Sequence, residues 1–271
     1  MKGVDLRAST GTPLFCLQLL VMPFSHHSHS GTFCPGHAQD ALEDIVKTAI
    51  SKDFKVFALT EHMPRHDQDR YAEEIEAGST LQSMIENEFQ YVSHACHLRD
   101  KYQGKLSLPV AFESEWCGPH SFELIQQSLR SHRYDFFVGS IHHVRGVPID
   151  YDEAEYVRAR NLVGGTDEHI FEAYFDEQLE MLQALRPPVV GHLDLIRLKS
   201  DCPDIDWRSM QTIWPKILRN LDFVASYGGI LEINTAAWRK GMSEPYPKSE
   251  ICKVRHHAHA DTFADRLFRN I

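Results

Sequence analysis

The sequence predicts an α/β barrel, on two observations. Short apolar runs alternate with amphipathic helical stripes, the pattern of parallel strands joined by helices. These runs also end repeatedly in histidine or glutamate, so polar side chains gather at the C-terminal ends of successive strands, where barrel enzymes build their sites. An open doubly wound sheet gathers its ligands at one switch point. Contributions from six consecutive strand ends fit a ring better.

The first apolar run leads into Pro23-Phe24-Ser25-His26-His27-Ser28-His29-Ser30-Gly31. If Phe24 to Ser28 is extended, a period of two puts His27 and His29 on one face, with His26 and Ser28 pointing away. Ala38 to Lys52 carries a helical stripe of Leu42, Ile45, Val46, Ala49 and Ile50. Phe54 to Leu59 is a buried strand by its length and apolar content, and it ends in Thr60-Glu61-His62. Ser79 to Tyr102 is a long helix with Leu81, Met84, Ile85, Phe89 and Val92 as its apolar positions, and with His94 and His97 solvated.

Leu106 to Phe112 is strand-like and ends in Glu113-Ser114-Glu115. Ser121 to His132 is helical, and Asp135 to Ile141 is a strand ending in His142-His143. A polar insertion with Gly164-Gly165 precedes the amphipathic helix Glu168 to Leu185, which Pro187-Pro188 stops. Val189-Val190-Gly191 leads to His192-Leu193-Asp194. Trp207 to Tyr227 is helical, and Gly229 to Ile233 is a strand ending in Asn234-Thr235.

At 271 residues the chain can bury one large core, and no repeat or linker divides it. A net charge of −10 disfavours a nucleic-acid partner but not an anionic substrate, because bound cations reverse the local field. Seventeen histidines raise the expectation of metal or acid–base chemistry. Cys16, Cys34, Cys96, Cys117, Cys202 and Cys252 are scattered without a C-x-x-C, as in reduced, intracellular proteins. The apolar stretch Pro13 to Phe24 is too short to span a membrane and has no small-residue cleavage site. The expectation is a cytoplasmic protein with an extension over residues 1–21 and Met22 as a natural start.

The candidate constellation is His27, His29, His37, His62, Glu113, His142 and His192. Each has an ordinary reading alone: His37 as a turn residue, His62 as a hydrogen-bonded strand end, His142 or His143 as the one that alternation sends inward. Either or neither of Glu113 and Glu115 could ligate. Their recurrence at strand ends favours a metal site, and imidazole with carboxylate suits zinc, manganese or iron. Such sites activate water and neutralise phosphoryl oxygens, so hydrolysis of a phosphate monoester fits. No G-x-S-x-G elbow or P-loop is present. Arg197, Arg239 and Lys240 are the basic candidates for substrate recognition.

The motifs H-S-H-S (His27 to Ser30), T-E-H (Thr60 to His62), F-E-S-E (Phe112 to Glu115), V-G-S-I-H-H (Val138 to His143), V-G-H-L-D (Val190 to Asp194) and L-E-I-N-T (Leu231 to Thr235) resemble the ordered motifs of the PHP superfamily. Within it the chain is most similar to the histidinol-phosphate phosphatases, on wording such as HHSHSGTFCPGH and EINTAAWRKG. The resemblance covers Met22 to Val254 and implies a distorted TIM-like (β/α)7 barrel with two to three divalent metal ions. By motif, His27, His29 and Glu113 hold the first. Glu113 bridges to a second, held also by His142 and His192, and His37 and His62 belong to a third. Glu113, His142 and His192 are then the catalytic set. The implied reaction is hydrolysis of L-histidinol phosphate to L-histidinol and phosphate in histidine biosynthesis. A different PHP phosphoesterase, or a non-catalytic metal-binding barrel, are the alternatives.

One departure stands out. The family's final strand ends in Asp-x-His, which supplies the first and third sites, and residues 255–271 carry no apolar run and no such motif. His257, His259 and Asp261 are in the wrong order to replace it. The expectation is therefore a barrel without its last strand–helix unit, ending in a divergent tail.

Overall fold

Parallel pairing organises the molecule. In the computed structural model, which describes residues 24–254, strand β1 (Phe24–Ser25) pairs in parallel with β2 (Val56–Phe57). Only Ala58 separates β2 from β3 (Leu59–His62), and at that break the chain changes partner. β3 opens a five-stranded parallel sheet with β4 (Val110–Glu115), β5 (Phe137–Ser140), β8 (Val189–Val190) and β9 (Ile230–Leu231), in that order. Each neighbouring pair is parallel and joined by a helical crossover, the arrangement of a barrel wall. The expected extension, and the tail with His257, His259 and Asp261, lie outside the described residues.

Helices α1 (Leu42–Ser51), α2 (Ala72–Glu76), α3 (Leu81–Lys101) and α4 (Phe122–Ser131) occupy the first crossovers. Between β5 and β8 come the hairpin β6 (His143–Val144) and β7 (Val147–Pro148), then α5 (Glu153–Leu162) and α6 (Asp167–Leu185). α7 (Trp214–Tyr227) precedes β9, and two short helices, α8 (Ala236–Arg239) and α9 (Ser249–Cys252), follow it.

The core has two main parts. Leu42, Val46 and Ala49 of α1 meet Tyr91, Ala95 and Leu98 of α3 over Leu59 and Val110. Tyr91 also brings its hydroxyl to 2.5 Å from the Leu59 carbonyl and 2.6 Å from that of Ala111, tying α3 to β3 and β4. Elsewhere Phe112 and Phe137 pack with Phe171 and Phe175 of α6, Ile217 and Leu221 of α7, and Trp207. Along β4 the alternation separates chemistry: Phe112 joins the helix-side core, and Glu113 and Glu115 project to the other face.

Several sequence expectations need revision. The apolar face of α3 is Tyr91–Ala95–Leu98, not one through Phe89, which is 54% exposed. His94 is half-buried with its ring near Phe33, and only His97 is exposed. The region taken as a polar insertion contains the β6–β7 hairpin and α5. Arg145 and Gly146 both take positive φ (54° and 72°), the requirement of a two-residue turn whose twist matches the strands. The helix expected from Trp207 is interrupted: a 3-10 turn covers Trp207–Ser209, and α7 starts at Trp214 with Pro215 in its first turn, where no amide donor is needed.

Candidate metal centre

The loop after β1 is aimed by hydrogen bonds to its neighbour strand. The Ser28 amide donates to Thr60 Oγ1 (2.8 Å), the Ser28 hydroxyl to the Ala58 carbonyl (2.7 Å), and Thr60 Oγ1 to the Ser28 carbonyl (3.0 Å). Ser28 is thereby fixed toward β3, and His27 and His29 turn to the other side. His26 packs its ring near Phe24 and Phe136 instead. The Ser30 amide and hydroxyl both donate to Oε1 of buried Glu61, whose other oxygen lies 3.5 Å from His29 Nδ1.

Glu113 is the centre of the cluster and is 1% exposed. Its Oε2 lies 3.0 Å from His27 Nε2, 3.1 Å from His29 Nε2 and 3.2 Å from His62 Nδ1. Its Oε1 lies 3.0 Å from His192 Nε2 and 3.4 Å from His142 Nε2. Each oxygen thus faces its own pair or trio of imidazoles, as a bridging carboxylate must.

Proton bookkeeping decides what the cluster can hold. His27 Nδ1 sits 3.0 Å from Glu232 Oε1, and an imidazole N–H is the only donor that contact can use. His27 Nε2 then faces Glu113 Oε2 and, at 3.0 Å, His29 Nε2. The same pattern recurs at His142: Nδ1 contacts Glu115 Oε1 at 2.9 Å, and Nε2 faces His192 Nε2 at 3.1 Å. With Nδ1 already protonated, the inner nitrogen of His27 or His142 can only accept. The single N–H its partner imidazole offers cannot fully serve both that nitrogen and the carboxylate oxygen beside it, so the group is satisfied only with added positive charge. Extra protons or cations can supply it. Burial pulls the His27 and His142 pKa values down, but Glu113 with Glu232, and Glu115 with Glu113, hold both well above the ordinary value. Burial likewise opposes ionisation of Glu113, yet His27, His142 and His62 keep its carboxyl well below the usual range.

The donor set fits divalent metal ions. Donors bound at about 2.0–2.2 Å in a tetrahedral or octahedral shell lie about 3.0–3.5 Å apart, the range of the spacings around Glu113. Histidine ligands characteristically give their second nitrogen to a carboxylate, as His27 does to Glu232 and His142 to Glu115. Among the described residues, four triads have their donor atoms within 4.8 Å of one another: His27–Glu113–His192, His62–Glu115–His142, His29–Cys34–His62 and Glu115–Cys117–His143. Buried Glu115 Oε2 and His192 Nδ1 have no hydrogen-bond partner among the described residues.

All seven expected ligands therefore come together, with His37 at the edge: it is exposed, and its Nδ1 lies 3.4 Å from His62 Nε2. His142 and His143 do not compete, because β5 stops at Ser140 and strand alternation no longer applies; both are buried, His143 beside Cys117. The basic residues fare differently. Arg197 is fully buried, and four of its five N–H donors are taken by Asp194 (3.1 Å) and the carbonyls of Pro203, Glu244 and Pro245, so it braces the fold and presents no accessible surface to a phosphate. Arg239 and Lys240 are exposed at the end of α8.

Sequence reasoning missed Glu232. It follows β9 as His192 follows β8, and its two oxygens hold His27 Nδ1 and the His192 amide (2.9 Å). The acidic residue inside L-E-I-N-T was the available signal. It also missed buried Arg65, whose guanidinium contacts Glu74 and, at 3.3 Å, Glu115.

Comparison with known proteins agrees with this geometry. The model of the PHP domain family matches residues 25–236. A probable histidinol-phosphatase of Schizosaccharomyces pombe is 38% identical over 236 residues, covering 86% of this chain and 76% of that protein. The histidinol-phosphatase of Saccharomyces cerevisiae is 33% identical over 261 residues, covering 85% and 78%. Among solved structures, a Listeria monocytogenes chain assigned as a histidinol phosphatase superposes with a TM-score of 0.69 at 23% identity, over 84% of this chain and 89% of that one. The histidinol phosphate phosphatase of Lactococcus lactis, solved with zinc, L-histidinol and phosphate, gives 0.59 at 22% identity, over 78% and 73%. Motif order, a parallel sheet with candidate ligands at its strand ends, and a family match over most of the described residues lead to one conclusion: the chain belongs to the PHP family.

Proposed function

We propose that this protein is a divalent-metal-dependent phosphomonoesterase that hydrolyses L-histidinol phosphate to L-histidinol and phosphate, a step of histidine biosynthesis. The observation that carries the reading is the Glu113 carboxylate, buried, with imidazole pairs on both of its oxygens. The substrate is supported by the yeast relatives, both named histidinol-phosphatases and matched over more than three quarters of their length.

His27, His29 and Glu113 would hold one ion, Glu113, His142 and His192 a second, and His62 with His37 a third; zinc, manganese and iron all suit these donors. Ions bound there lower the pKa of water and neutralise phosphoryl oxygens during an in-line displacement. The protein's own residues do the rest. Glu113 keeps the two halves of the cluster in register, Glu232 and Glu115 hold His27 and His142 with one nitrogen inward, and Glu61 supports His29. Arg239 and Lys240 are the basic groups available for an anionic substrate. Residues 22–254 form the catalytic domain. No helix of the described residues is long and apolar enough to cross a membrane. The cysteines of the described residues are free thiols, which supports a cytoplasmic enzyme.

The test is phosphate release from L-histidinol phosphate by purified protein, before and after chelation, with bound metal quantified in the same sample. Release that disappears on chelation and returns with added metal is expected. Full metal occupancy without release overturns the phosphatase and leaves a metal-binding barrel.

A further inference from the structure

Cys117 and His143 take no part in the cluster around Glu113, yet both meet Glu115 in the interior. Glu115 ends β4, and the Trp116 amide continues the β4–β5 ladder by donating to the Ser140 carbonyl at 3.1 Å. Cys117, two residues on, therefore faces the same side as Glu115. His143 opens β6, and the hairpin brings it back to that side, pinned where the Ile149 amide donates to the His142 carbonyl at 2.9 Å. Glu115, Cys117 and His143 are 1%, 6% and 1% exposed.

His143 Nδ1 lies 3.5 Å from Cys117 Sγ and 3.7 Å from Glu115 Oε2. Sulfur and nitrogen donors bound to tetrahedral zinc at about 2.3 and 2.0–2.1 Å stand about 3.5 Å apart. A thiol–imidazole hydrogen bond alone would explain the first distance and leave the rest unsatisfied. With the Cys117 S–H donated to Nδ1, the ring proton sits on buried Nε2, which has no partner among the described residues, and Glu115 Oε2 has none either. Moving the proton to Nδ1 does not help, because 3.7 Å is too long for a hydrogen bond to Oε2 and Nε2 then lacks a donor. A cation among the three satisfies Sγ, Nδ1 and Oε2 together. Local charge agrees: the Arg65 guanidinium beside Oε1 is paired with Glu74, which leaves Glu115 and a Cys117 thiolate to face a divalent ion.

We propose that Glu115 Oε2, Cys117 Sγ and His143 Nδ1 bind one zinc ion at a buried structural site, separate from the ions around Glu113. Thiolate with imidazole selects zinc over manganese or magnesium. Three protein donors with one water are a common zinc complement. The site needs no opening to solvent, because the ion is captured as the chain folds, and Cys117 then gives its thiol proton to water. The ion steadies Glu115 from behind, and Glu115 Oε1 in turn holds His142 Nδ1 at 2.9 Å. Of the four triads among the described residues, this is the one whose imidazole lies outside the seven expected ligands. The site stands or falls independently of the substrate.

The experiment is zinc X-ray absorption on the full chain, loaded to constant zinc content, with zinc counted per chain in the same samples. The unmodified protein should show a sulfur shell at about 2.3 Å. Cys117→Ser should remove that shell together with about one zinc ion per chain, and His143→Gln, which leaves the thiol in place, should do the same. Cys34→Ser, at a half-buried residue beside His29 and His62, should keep both the shell and the count. Absence of a sulfur shell in the loaded, unmodified protein overturns the inference. So does a shell that survives Cys117→Ser, or one that Cys34→Ser abolishes, which places the sulfur beside His29 and His62 instead. If Cys117→Ser does not fold, Cys34→Ser still decides, because Cys34 and Cys117 are the cysteines that join a triad among the described residues.

Discussion

Nδ1 of His27 stands 3.0 Å from Oε1 of Glu232, so the residues after the first and last strands of the described sheets meet inside the metal cluster. Glu232 accepts the His192 amide on its other oxygen, and it orients two candidate ligands without being needed as one. Glu232→Ala should lower metal affinity about 10- to 100-fold, the usual cost of removing a carboxylate behind a histidine ligand. Chelator competition measures this. Unchanged affinity in the folded variant would remove Glu232 from the site.

Glu113→Gln tests the bridge. The amide has one oxygen and one nitrogen, so it can serve only one of the two imidazole groups as an anion-like ligand. Loss of metal from both sides and a fall in kcat on the order of a thousandfold or more are expected, from several kcal/mol of charge stabilisation withdrawn. Metal counting against phosphate release checks it. A variant that retains all its metal and its rate would show the bridge to be incidental.

Metal binding should depend on pH in a fixed direction. Carboxylate partners outweigh burial and raise the pKa values of His27 and His142, so in metal-free protein both carry protons above the ordinary histidine range. That protonation stabilises the metal-free fold fully below the unfolded value, near 6.5, and the contribution is lost as pH climbs through the raised values. Metal must displace the same protons, so apparent affinity should rise between about pH 6 and 8 while metal-free stability declines. Calorimetric titration in buffers of different ionisation enthalpy also counts the protons released. A flat profile contradicts the assignment.

Arg197 separates bracing from substrate contact. Arg197→Met leaves Asp194 buried with its charge partner gone, a loss of about 3–5 kcal/mol. Tm should fall by roughly 10 °C, with KM unchanged at temperatures where the variant is folded. A raised KM at unchanged Tm would return Arg197 to the phosphate.

The candidate ligands were legible because strand alternation and strand ends leave a local trace. His27 and His29 are two apart, and Glu113, His142 and His192 each follow an apolar run. Arg197 was misread for the opposite reason: its partners at Pro203, Glu244 and Pro245 come from later segments, and nothing in I-R-L-K shows that the guanidinium is enclosed. α5 left little pattern, since among its residues only Tyr156 and Ala159 are buried. Glu232 obeyed the strand-end rule but was passed over in favour of Asn234, whose side-chain amide donates to it at 3.0 Å.

The cluster draws on residues from His27 to Glu232, and Asp194 beneath it is held by Arg197, Trp207 and the Lys248 amide. Synthesis delivers these groups in order, and contacts this far apart in sequence form late. When His27 leaves the ribosome, the carboxylate that will orient it has not yet been made. Metal capture is therefore an event in the life of a nearly completed chain, and a stalled or shortened one displays histidines without a centre to hold the ion.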